Sequence, residues 1–92
     1  MAKVSIPTPL RQFTGQRDTV EYGGSTVGEV LNGLTGEFGS LRQHLFNDEG
    51  KLRSFVNVYL NDEDIRYLEK TDTAVKDSDT ITIIPSIAGG LN

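Results

Sequence analysis

Apolar and polar residues alternate in four short stretches of this 92-residue chain, and between the second and third the apolar residues recur at helical spacing. Lys3-Val4-Ser5-Ile6 alternates and then meets Pro7 and Pro9, which predicts a strand over 2–7 that ends where proline withholds a ladder donor. Leu10 to Gly15 reads as a loop returning the chain. Thr19-Val20-Glu21-Tyr22 alternates again and stops at Gly23-Gly24, completing a hairpin with the first strand. Val27, Val30, Leu31, Leu34 and Phe38 then fall at i, i+3, i+4, i+7 and i+11, one stripe of a helix laid on a sheet. Ser25 or Thr26 caps that helix, and Thr26-Val27-Gly28-Glu29 has capping-box spacing. Gly28, Gly33, Gly36 and Gly39 each weaken it by about 1 kcal/mol relative to Ala, so packing must hold it. Leu41, Leu45 and Phe46 predict a second helical turn before the polar loop Asn47 to Gly50. Phe55 to Leu60 carries the strongest strand signal, with Val56, Val58 and Leu60 on the inner face and Phe55, Asn57 and Tyr59 on the other. Asn61 to Asp64 reads as a turn, Ile65 to Leu68 as a short edge strand, and Lys76 to Asp79 as a second turn after Thr73-Ala74-Val75. The last strand, Thr80 to Ile84, turns Ile81 and Ile83 inward and Thr82 and Ile84 outward, and stops at Pro85. Strand, strand, helix, strand, minor elements, strand is the order of a small α+β domain, a mixed sheet of four to five strands crossed by one main helix.

Beyond Pro85 the alternation breaks off. Ser86-Ile87-Ala88-Gly89-Gly90-Leu91-Asn92 is too poor in side chain to pack a core, and its glycines lose the most entropy on ordering. The division expected is a domain over 1–85 and a flexible tail over 86–92. With 36% hydrophobic residues there is one core and no second. The net charge of −4, with the basic residues scattered along the chain, repels phosphate backbones and argues against nucleic acid as a partner. The absence of cysteine removes disulfides, thiolate nucleophiles and cysteine-type zinc sites together. No apolar run approaches the roughly 18 residues of a membrane-spanning helix, and no secretory pattern opens the chain, so no membrane is expected as a partner and the cytoplasm is the expected location. His44, the one histidine, lies beside Leu41 and Leu45, where a packing or surface role outweighs a metal or nucleophilic one. Asp62-Glu63-Asp64 lacks the spaced ligands of a calcium loop and reads as a solvated turn. Gly23-Gly24-Ser25-Thr26 lacks the Gly-Lys-Ser/Thr ending of a phosphate cradle and reads as turn plus cap. No catalytic residue and no bound metal or cofactor is expected. Phe55, Tyr59 and Ile84, outward and apolar on neighbouring strands, form a candidate docking face.

Val4 to Thr8 with Leu10-Arg11, the helix opening at Thr26-Val27-Gly28, the run Phe55 to Arg66, and Asp79 through Pro85 to Ala88-Gly89-Gly90 together resemble the β-grasp sulfur carriers of the MoaD/ThiS family, most of all its cysteine-biosynthesis branch. The resemblance covers nearly the whole chain. It implies a β-grasp, ubiquitin-like fold and a carrier whose terminal glycine, here Gly90, is adenylated by an E1-like enzyme using ATP and then converted to a thiocarboxylate with a sulfur donor. In the cysteine branch it implies two further partners. The sulfur attacks an activated serine on a PLP-dependent cysteine synthase-type enzyme, and after an acyl shift a zinc metalloprotease of the JAMM type releases cysteine. Similar carriers serve thiazole, molybdopterin and other thio-metabolites, and a ubiquitin-like modifier forming isopeptides through Gly90 shares the activation chemistry. A plain interaction module with an inert tail is a third reading.

Elementary chemistry agrees with a substrate arm. An α-carboxylate, with a pKa of about 3.3–3.7, is ionised at neutral pH and can attack a phosphorus centre. Ile87, Ala88, Gly89 and Gly90 suit a narrow partner channel, since glycine has no Cβ to meet its walls. From Pro85 to Gly90 an extended chain reaches roughly 17–20 Å. The departure from the family pattern is Leu91-Asn92, read either as an extension whose removal at the Gly90–Leu91 bond, by the same metalloprotease, exposes the working carboxylate, or as an adventitious remnant.

Overall fold

The alternating stretches become strands of one mixed sheet in the computed structural model, which describes residues 1–85. Strands β1 (Ala2–Ser5), β2 (Thr19–Tyr22), β3 (Val56–Leu60), β4 (Glu63–Asp64) and β5 (Thr80–Pro85) lie in the order β2-β1-β5-β3-β4. The β1/β5 pair is parallel and the other neighbours are antiparallel. A parallel pair at the centre requires a long crossover, and helices α1 (Val27–Glu37) and α2 (Gly39–Leu45) lie within it. This is the β-grasp arrangement.

The helical stripe packs as its spacing demands. Val27, Val30, Leu31 and Leu34 are wholly buried in one cluster with Val4, Ile6, Val58, Ile81 and Ile83, and Phe38 packs partly buried against it. Fully burying such side chains contributes roughly 1.5–3 kcal/mol each, enough to hold a helix that its glycines weaken. Among the described residues no helix is long and apolar enough to cross a membrane.

Several local expectations change, the first strand ending at Ser5 rather than at residue 7 and Phe55 lying in the turn ahead of β3. Leu10 to Gly15 is not a simple loop: Thr8–Phe13 forms a 3-10 helix with proline in its first turn, where the fixed φ suits helix entry. Its Leu10 is buried, and Arg11 Nε donates to the Ile6 carbonyl at 3.0 Å. The edge strand falls at Glu63–Asp64 rather than Ile65 to Leu68, because Asn61 adopts φ 57 and brings the chain back at once, pairing Leu60 with Glu63. Ile65–Tyr67 then forms a 3-10 turn capped by Asp64, whose Oδ1 accepts from the Arg66 amide at 2.9 Å. The capping box is offset. Thr26 Oγ1 accepts from the Glu29 amide at 3.2 Å, but Glu29 Oε1 accepts from the amide of Ser25 at 2.9 Å instead of that of Thr26. Gly24, at φ 154, folds the chain so tightly onto the first turn that a Cβ there would stand 3.0 Å from that of Glu29. Finally, β5 includes Pro85, opposite Val56 at the strand's end, where a missing donor costs little.

Candidate functional site

The β3/β5 register decides which side chains face away from the helices. Val58 pairs with Ile83 on the core face, so the neighbouring pairs Asn57 with Ile84 and Tyr59 with Thr82 lie on the open face. Ile84 is 45% exposed, Phe55, just ahead of β3, is 39% exposed, and Tyr59 is half-buried. The anticipated docking residues are thus on or beside two adjacent strands. Ile84 precedes Pro85, the last described residue, so this face borders the point from which the tail sets out.

A polar network adjoins the apolar residues. Asp64 stands opposite Tyr59, and its carboxylate takes the Arg66 guanidinium at 2.9 Å through Nη2, with Nε at 3.3 Å from both oxygens. The same Nη2 donates to Asn57 Oδ1. Hydrogen bonds from the Arg66 side chain and amide hold the Asp64 carboxyl below the usual carboxylate range, and Asp64 in turn raises Arg66. An ionised, fixed Arg66 therefore sits over the neighbour of Ile84. Such a guanidinium, already oriented by two partners, gives up little side-chain entropy on meeting a third group.

Arg66 was within the stretch carrying the family resemblance, yet nothing in the linear pattern marks it as a site residue. Its partner Asn57 lies nine positions earlier and meets it only through the β3–β4 hairpin. Tyr67, the most exposed large apolar residue described at 87%, likewise escaped the periodicity, because it sits in a 3-10 turn rather than on a strand.

The other candidates take structural roles. His44 is half-buried, its ring stacked on Phe13 with centroids 4.4 Å apart. Asp64 is spent on Arg66, and among the described residues no group of three or more His, Cys, Asp and Glu could hold a metal. Gly23 to Thr26 supply the turn and cap of α1. Ile87, Ala88, Gly89, Gly90 and Leu91, which carry the expected chemistry, lie outside the described residues.

Comparison with known proteins bears on the whole arrangement. The ThiS family model matches residues 4–90. The sulfur carrier protein CysO of Mycobacterium tuberculosis is 43% identical over 89 residues, spanning 95% of this chain and 96% of the relative. Among solved structures, a chain of the Amycolatopsis orientalis BexX/CysO complex is 43% identical with a TM-score of 0.89, covering 98% of this chain and 100% of that one. The small archaeal modifier protein 1 of Methanosarcina acetivorans is 32% identical with a TM-score of 0.88, over 97% of this chain and 95% of that one.

Proposed function

This chain belongs to the ThiS family and is similar to the sulfur carrier CysO, and from that premise we propose that its working group is the carboxylate of Gly90, activated and loaded with sulfur by partner enzymes. The observation that carries the reading is a family match that runs to Gly90 and leaves Leu91-Asn92 beyond it. Hydrolysis of the Gly90–Leu91 bond, by a JAMM-type zinc metalloprotease, frees the carboxylate. The body then docks on an E1-like enzyme through Phe55, Tyr59 and Ile84, and Ile87 to Gly90 enter the enzyme's channel. A carboxylate oxygen of Gly90 attacks the α-phosphorus of ATP and pyrophosphate departs. A sulfide-equivalent nucleophile then attacks the acyl carbon, AMP leaves, and Gly90 ends in a thiocarboxylate. Catalysis belongs to the partner; this chain supplies the substrate. Its similarity to CysO favours cysteine synthesis as the destination, with the thiocarboxylate attacking an activated serine on a PLP-dependent synthase.

The test is intact-mass analysis after incubation with the E1-like enzyme, ATP and a sulfur donor. The chain ending at Gly90 is expected to gain one sulfur-for-oxygen exchange and the full-length chain to remain unchanged until trimmed. No exchange on either chain would overturn the reading. The similarity to an archaeal modifier protein supports a second use of the same terminus, isopeptide formation with protein lysines. Lysine-linked conjugates on immunoblots from the native cell, lost when Gly90 is deleted, would favour it.

A further inference from the structure

The open sheet face carries a guanidinium close to the point where the tail begins. Arg66 Nη2 donates to Asn57, and Asn57 pairs across the sheet with Ile84, one residue before the last described position, Pro85. Opposed residues on antiparallel strands stand about 4.5–5.5 Å apart, so Arg66 is close to the strand end from which residues 86–90 run on. Asp64 and Asn57 occupy its Nε and Nη2, whereas Nη1 makes no hydrogen bond among the described residues. The side chain is 55% exposed, so a third group can reach it. Tyr59 and Tyr67 stand near enough to act on its charge. Ser86-Ile87-Ala88-Gly89-Gly90 contains no charged side chain, and in a chain ending at Gly90 the α-carboxylate is therefore the tail's charge. Five residues are enough for a common hairpin connection, and a glycine pair meets the positive φ that such reversals demand.

We propose that in the carrier trimmed to Gly90 the terminal carboxylate, and the thiocarboxylate that replaces it, folds back onto Arg66, a latch that keeps the terminus on the open face until a partner draws the tail away. The inference rests on the carrier reading. Covalent attachment selects the occupant: a group on a short tether meets its site at an effective concentration in the millimolar range. The two N–H groups of Nη1 suit a carboxylate, and Asp64 already answers much of the guanidinium charge, so the contact is weak. Weakness suits the task, since a partner docking on Phe55, Tyr59 and Ile84 opens the latch by claiming the same face. Lys3, exposed on β1, pairs at the far end of β5, opposite Thr80, away from the start of the tail.

NMR of the chain ending at Gly90 tests this at low salt. Arg66 side-chain nitrogen signals are expected to differ between the chain ending in the Gly90 carboxylate and one ligated to end in the Gly90 amide, and the difference is expected to vanish at high salt. The Gly90 carboxyl carbon is expected to titrate at lower pH in the parent than in Arg66→Gln, by about 0.3 of a pH unit if latched and open tails are equally populated. The comparison of acid with amide leaves the body of the protein unaltered, so it decides the matter even if Arg66→Gln folds poorly. Identical Arg66 signals in acid and amide chains overturn the latch and leave the carrier reading to the sulfur-exchange assay. Differences confined to Lys51 or Arg53 assign the terminus to another cation and overturn Arg66. Differences that grow with protein concentration mean that the terminus meets a second copy, which overturns the fold-back. A chain ending at Gly90 that never gains sulfur removes the carrier reading, and the latch as a working device with it.

Discussion

Phe55 and Arg66 illustrate how single side chains divide between what a linear pattern shows and what it hides. Phe55 keeps more than a third of its surface exposed beside a strand whose inner residues are buried, so it contributes little to the core. Phe55→Asp is therefore expected to abolish activation by the E1-like enzyme while changing stability by less than about 1 kcal/mol. Thermal melts and adenylation assays on the same sample decide the matter: a melting temperature that falls steeply would assign Phe55 to the core. Alternation expects Phe55 on the outer face of a strand, whereas its exposure arises in the turn just ahead of β3, where the Val56 amide donates to the Arg53 carbonyl. Arg66 was not legible as a site residue. Its significance depends on Asp64 and Asn57 being brought beside it by a hairpin, and no periodicity encodes that.

Elements formed where a long-range apolar pattern and a local end signal agreed. The α1 stripe is an instance: four of its five anticipated apolar positions are wholly buried, and Thr26 caps it through the Glu29 amide. Thr26→Ala is expected to cost about 1 kcal/mol. For a domain of this size that lowers the melting midpoint by roughly 4–8 °C, as differential scanning calorimetry would read, and a shift within error would show that the bridge between Thr26 and Ala74 holds the helix start without the hydroxyl. Short polar stretches were less legible. Leu10 to Gly15 and Asn61 to Leu68 lack a period long enough to separate a 3-10 turn from a loop or strand, and their outcome was decided by a proline φ, by Asn61 in the left-handed region, and by Asp64 capping Arg66.

At the scale of the molecule, titratable groups held by hydrogen bonds in the native state bound the pH range of stability. Hydrogen bonds from Arg66 hold Asp64 low, and hydrogen bonds from the Lys76 amide and then Asn61 hold Asp79 low, so the native state prefers both ionised. Their contribution is complete above the unfolded carboxylate value near 4 and is lost as pH falls through the lower native values. Tyr22 behaves oppositely. Burial, and then its hydrogen bond to Glu37, raise its pKa, so its contribution is complete below about 10 and is lost as pH rises beyond. Melting temperature is expected to be level from about pH 5 to 9 and to fall on both sides, and Tyr22→Phe should soften only the alkaline fall; an unchanged alkaline limb would show that Tyr22 does not set it. These links lie outside what sequence alone determined. Residue order and spacing were sufficient for the α+β class, the inner faces of β3 and β5, the main helix, the outward Tyr59 and Ile84, and the family resemblance ending at Gly90, because each rests on local periodicity or on a contiguous motif. Only the tertiary structure decided the β2-β1-β5-β3-β4 order and the Arg66 network on the open face. Each of these depends on which distant segments pair, and pairing is set by the packing of the whole core.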